Sequence, residues 1–112
     1  MNTLRYKDYT GVFAYDEEAE LFHGRVVGLR DIVTFEGRSV DELKTALADS
    51  VEDYLDFCKE LGKEPEKPLS GRLLVRIDPE LHRSVAVAAT RDGKSINHWI
   101  KDALEQAAEK AG

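Results

Sequence analysis

The chain is 112 residues long and carries 22 acidic against 16 basic side chains, a formal net charge of −6. Apolar residues make up 42% and charged residues 34%, which fits a folded soluble protein and is too apolar for a disordered one. No apolar run reaches the ~18–20 residues of a membrane helix, the start Met1-Asn2-Thr3-Leu4-Arg5-Tyr6 has no apolar signal core, and the single cysteine, Cys58, forms no internal disulfide. A cytoplasmic protein with no membrane association is therefore expected.

The charge is unevenly spread. Residues 1–68 hold 9 basic and 16 acidic side chains, whereas residues 69–112 hold 7 and 6. Two modules with different partners are expected, the first acidic and the second near neutral.

In chain order, Tyr9-Thr10-Gly11-Val12-Phe13-Ala14-Tyr15, Leu21-Phe22-His23-Gly24-Arg25-Val26-Val27 and Ile32-Val33-Thr34-Phe35 read as three strands. The acidic turn Asp16-Glu17-Glu18 and a tight Gly28-Leu29-Arg30-Asp31 connection join them into an antiparallel meander. Ser39 with Glu42 is a capping box that opens a long helix. Its stripe is Val40, Leu43, Leu47, Val51, Tyr54, Leu55, Cys58 and Leu61, and Gly62 is its left-handed end. The first domain, 1–61, is thus α+β: a βββα unit with one helix on one sheet face.

Residues 62–69 contain Pro65 and Pro68, which favour extended backbone, and form the linker. The second domain, 70–112, reads strand–helix–helix. Arg72-Leu73-Leu74-Val75-Arg76-Ile77 is a short strand, and Asp78-Pro79-Glu80 starts a helix with Asp78 as N-cap. After the turn Arg91-Asp92-Gly93-Lys94, Ser95 caps a second helix whose stripe is Ile96, Trp99, Ile100, Ala103, Leu104 and Ala107. A lone strand lacks a ladder, and so small a unit buries little by itself. Two copies pairing their strands about a two-fold axis resolve both problems, so an obligate dimer is expected.

In such a dimer Leu73, Val75 and Ile77 face the helices, and Arg72, Leu74 and Arg76 face outward. A two-stranded ribbon fits the major groove, where arginine reads guanine through paired hydrogen bonds. Lys94, Ser95 and Asn97 at the second helix start combine a cation with free N–H groups, a site for DNA phosphate. Arg72 and Arg76 also fit a solvated strand edge, and Ser95 is in any case a helix cap.

The order strand, Ile77-Asp78-Pro79-Glu80-Leu81-His82, Gly93-Lys94-Ser95-Ile96-Asn97 resembles the ribbon-helix-helix DNA-binding family typified by the Arc and MetJ repressors. That resemblance implies Arg72, Leu74 and Arg76 as base readers, with Ser95 and Asn97 near phosphate. Leu74 departs from the polar residues usual there and suits a thymine methyl. Phe22-His23-Gly24-Arg25-Val26-Val27-Gly28-Leu29-Arg30-Asp31 and Ser50-Val51-Glu52-Asp53-Tyr54-Leu55 resemble HicB antitoxins. This resemblance implies a partial ribonuclease H-like N-terminal fold that blocks a HicA-like RNA-cleaving toxin, and a C-terminal domain that represses the operon. An acidic first module suits a basic partner.

His23, His82 and His98 lack metal-ligand spacing, so no metal and no cofactor are expected. Asp16, Glu17, Glu18 and Glu20 read as a solvated turn, and Asp49, Glu52, Asp53 and Asp56 as a solvated helix face. Two-metal nucleases instead need carboxylates converging from different elements, so no catalytic residues are expected. The alternative without a toxin is a stand-alone ribbon-helix-helix repressor whose first domain binds a ligand or mediates assembly.

Overall fold

Strand 1 of the meander begins at the second residue. The computed structural model describes residues 2–111, and its contacts divide the chain between Arg72 and Leu73. The first unit contains β1 (Asn2–Tyr6), β2 (Tyr9–Asp16), β3 (Leu21–Val26), β4 (Thr34–Gly37) and α1 (Val40–Glu60). The second contains α2 (Pro79–Arg91) and α3 (Ile96–Ala111).

The sheet order is β1-β2-β3-β4, antiparallel throughout. The sequence reading expected three strands, and β1 is the correction. Leu4 and Tyr6 alternate with Thr3 and Arg5, and Tyr6 pairs with Tyr9 across a two-residue turn in which Lys7 adopts φ 53°. The last strand also starts two residues later than the run Ile32–Phe35 suggested, leaving Ile32 exposed in the loop.

Alternation sends Tyr9 and Phe13 of β2, Val26 of β3 and Phe35 of β4 to one face, where Leu43, Leu47, Val51, Tyr54 and Cys58 of α1 meet them. Val40 and Leu61, at the ends of the expected stripe, stay exposed. The Phe35 ring lies across the centre of the sheet, and a methyl group at Gly24 would sit 2.6 Å from Phe35 Cζ and 2.7 Å from Val12 O. Glycine is required there by close approach, not by backbone conformation.

The ends of α1 follow the expected chemistry. Ser39 Oγ accepts from Glu42 N at 3.1 Å, while the Glu42 carboxylate accepts from Arg38 N at 2.6 Å, one residue before the partner of a standard capping box. Gly62, at φ 68°, ends the helix in a Schellman pair: Gly62 N donates to Lys59 O and Lys63 N to Cys58 O.

Residues 62–69 are bonded to the first unit. Tyr54 Oη accepts from Glu66 N at 3.1 Å, and the Glu66 carboxylate accepts from Arg30 N at 2.8 Å. Pro68 is buried, and Leu69 packs beside Gly28.

In the second unit Asp78 Oδ1 caps α2 by accepting from Leu81 N at 2.9 Å, with Pro79 in the first turn. Gly93 at φ 68° closes α2 with a second Schellman pair, through Gly93 N to Thr90 O and Lys94 N to Ala89 O. Ser95 Oγ then caps α3, accepting from His98 N at 3.1 Å. The expected strand at 72–77 is absent from the single chain. A strand exists through its ladder, and this unit has no second extended segment to bond among its described residues. Correspondingly, Leu73 and Val75, expected against the helices, are 77% and 67% exposed, and Ile77 is also exposed.

Candidate nucleic-acid interface

The six residues expected at DNA fall into two groups. Arg72 ends the first unit, exposed, with its N–H donating to Ser70 Oγ at 3.3 Å. Leu74 and Arg76 lie on the segment leading into α2; Leu74 is 92% exposed and Arg76 is exposed as well. Such exposure of a leucine is costly without a partner surface, since apolar area left in water forfeits roughly 25 cal/mol per Å².

Lys94, Ser95 and Asn97 sit together at the start of α3. The Ser95 hydroxyl is committed to the third N–H of the helix, which leaves the first two N–H groups, on Ile96 and Asn97, outside the helical ladder. Positive partial charge gathers at that end. Asn97 is exposed beside it.

Lys94 has a partner that sequence reasoning missed. Its Nζ lies 2.7 Å from Asp102 Oδ2, and His98 Nε2 lies 3.5 Å from the same oxygen. The hydrogen bond to Asp102 raises the Lys94 pKa above its ordinary value and holds the Asp102 carboxyl below its own. The helical spacing of His98 and Asp102, four residues apart, was the signal available for this cluster. Trp99 is half-buried, and its indole N–H donates to Asp92 Oδ2 at 3.1 Å, tying α3 to the turn that precedes it.

Between α2 and α3 only Val85 and Ala89 are buried, and α3 has no buried residue. Leu81, Val87, Ile96, Ile100 and Leu104 join Leu73, Leu74, Val75 and Ile77 in exposing apolar surface. The stripe read from the sequence is present, but one chain does not cover it.

Elsewhere, among the described residues, no group of three or more His, Cys, Asp or Glu side chains is placed to hold a metal ion. No helix among them is long and apolar enough to cross a membrane. His23 Nδ1 lies 3.0 Å from Glu36 Oε1 on the exposed face of the sheet.

No curated protein and no solved structure matches the chain. The HicB family model matches residues 54–104, from the last turns of α1 through the first half of α3, just under half of the chain; this supports membership of the HicB family and, with it, a role of the toxin–antitoxin kind.

Proposed function

We propose that this chain is the antitoxin of a type II toxin–antitoxin pair, neutralising a HicA-like RNA-cleaving toxin and repressing its own operon by binding operator DNA as a ribbon-helix-helix dimer. The observation that carries this reading is the HicB match, which runs from the end of α1 through most of a second unit whose apolar stripe stays exposed in a single chain.

A second copy supplies what that unit lacks. Segments 72–77 of two chains pair antiparallel about a two-fold axis, and Leu73, Val75 and Ile77 turn inward onto four helices. Arg72, Leu74 and Arg76 then face outward from the ribbon and enter the major groove, the arginines toward guanine and Leu74 toward a thymine methyl. The start of α3 contacts phosphate through the N–H groups of Ile96 and Asn97, with Ser95 fixing their geometry. Lys94 adds less than its charge suggests, because Asp102 already occupies its ammonium.

The first unit is the toxin-binding domain. It acts by covering its partner, without catalysis, metal or cofactor. Its excess of acidic side chains draws a basic protein toward it. The pair works in the cytoplasm, away from membranes.

The decisive experiment is a salt titration of binding to the chain's own upstream DNA against a random duplex of equal length. Tight binding to the upstream fragment that falls steeply with salt is expected. Equal, weak binding to both duplexes would refute operator reading. Replacing Arg72 and Arg76 together with alanine is expected to abolish the preference while leaving the dimer intact.

A further inference from the structure

β2 extends past its outer neighbour β1. β2 is eight residues long, yet β1 pairs with it only between Tyr9 and Phe13. Ala14, Tyr15 and Asp16 pair with His23, Phe22 and Leu21 of β3, where His23 and Phe22 are bonded in turn to Glu36 and Gly37 of β4, so that the β2 edge is unpaired there among the described residues. Tyr15 and Phe22 stand directly opposite each other, on the face that further along buries Phe13. Phe22 is half-buried there and Tyr15 is 55% exposed.

The three rings form a ladder from core to surface. Phe13 and Phe22 meet edge to face with centroids 5.9 Å apart, and Phe22 and Tyr15 do so at 5.3 Å. Phe22 packs against the core, so Tyr15 is braced by a fixed neighbour. A braced, exposed aromatic side chain binds a partner with little loss of rotamer freedom.

The turn between β2 and β3 is acidic, while Arg38, one residue past the Gly37 that pairs with Phe22, is the neighbouring cation on the β4 side. The turn beyond Tyr15 carries Asp16, Glu17, Glu18 and Glu20, and no lysine or arginine occurs between Lys7 and Arg25. Asp16 Oδ1 accepts from Ala19 N at 3.1 Å and shapes the turn. Glu17, Glu18 and Glu20 have no ion-pair partner among the described residues. A guanidinium-rich surface satisfies both features, because arginine stacks on an aromatic face and pairs with carboxylates.

We propose that the Tyr15–Phe22 pair and its acidic turn form the surface on which the first unit docks a basic protein, with Tyr15 as anchor and Glu17, Glu18 and Glu20 as charge partners. The proposal rests on the antitoxin reading and names the contact surface which that reading leaves open.

The test titrates the purified product of the reading frame adjacent to this chain, by calorimetry, into the full-length chain and its variants. Tyr15→Ala is expected to weaken binding tenfold or more, and Tyr15→Phe to retain it. The double variant Glu17→Lys/Glu18→Lys is expected to weaken binding tenfold or more and to flatten its salt dependence. Asp53→Lys/Asp56→Lys, on the exposed face of α1, is expected to stay within threefold of wild type. Tight wild-type binding that Tyr15→Ala and the charge reversal leave unchanged would overturn the surface and spare the antitoxin reading. Absence of wild-type binding would overturn both. Hydrogen exchange on the wild-type complex guards against a misfolded variant: slowed exchange over residues 14–22 is expected, and unchanged exchange there overturns the proposal.

Discussion

Nine apolar side chains are buried between sheet and helix in the first unit, whereas α2 and α3 bury two between them and leave a row of leucines, isoleucines and valines in water. Both units have well-capped helices and both carry a clear apolar stripe, so local chemistry does not separate them. Closure does. A four-stranded sheet offers a whole face to α1, and one copy suffices. Two short helices and an unpaired segment offer edges that leave their apolar stripe uncovered in a single chain, and the proposed dimer would cover it. The difference is measurable because the four tyrosines, Tyr6, Tyr9, Tyr15 and Tyr54, all lie in the first unit and the single tryptophan, Trp99, lies in the second.

The largest effect belongs to the closed unit. Leu47 is 1% exposed at the centre of the α1–sheet contact, and Leu47→Ala is expected to cost about 2–5 kcal/mol, the range for a buried leucine truncated to alanine. Tyrosine signals in urea unfolding check this, and the transition seen by Trp99 is expected to stay in place. Gly24→Ala comes next, at about 1–3 kcal/mol, since the added methyl meets both the Phe35 ring and the Val12 carbonyl. A neutral Gly24→Ala would mean that the Phe35 ring can swing aside, and that the closed core is looser than its packing implies.

In the open unit, concentration is the variable. The Trp99 transition is expected to move to higher temperature as chain concentration rises, while the tyrosine transition does not. Leu104→Ala, at a position 49% exposed in the single chain, is expected to raise the dimer dissociation constant at least tenfold by sedimentation, or about 1.4 kcal/mol. Were α2 and α3 self-sufficient, the same substitution would stay within about 0.5 kcal/mol and the Trp99 transition would ignore concentration.

Most elements were legible because their signals are local. Ser39, Asp78 and Ser95 are caps whose side chains bond within three residues, and Gly62 and Gly93 take the positive φ that ends α1 and α2. What escaped needed partners outside the segment itself. β1 is five residues with two apolar positions, and its place is decided by pairing with β2 and by the bond from Tyr6 Oη to Glu52, 46 residues away. The segment after α1 reads as a proline linker, but Glu66 bonds to Tyr54 and Arg30 and Pro68 is buried, which no local pattern announces. At the candidate DNA interface, composition pointed to Lys94 as a free cation, whereas Asp102 one turn beyond His98 claims it.

Acid should separate the units most finely. Glu52 accepts from Lys7 at 2.6 Å and from Tyr6 Oη at 2.7 Å, bonds that tie the β1–β2 turn to α1 and hold its carboxyl below the usual range, the lysine contributing most. Asp102 is depressed in the same way by Lys94 in the second unit. A carboxyl with a lowered folded-state pKa adds stability that is present above its unfolded value, ~4.3 for Glu and ~3.9 for Asp, and lost as pH falls through the folded one. Both groups are half-exposed at the surface, so each effect is small and shrinks with salt. Glu52→Gln is therefore expected to flatten the fall of the tyrosine-detected Tm between pH 6 and pH 3 and to leave the Trp99-detected fall unchanged. Asp102→Asn is expected to do the reverse. If both variants flattened both curves, the two units would unfold as one, and the contrast between a closed unit and an open one would lose its thermodynamic meaning.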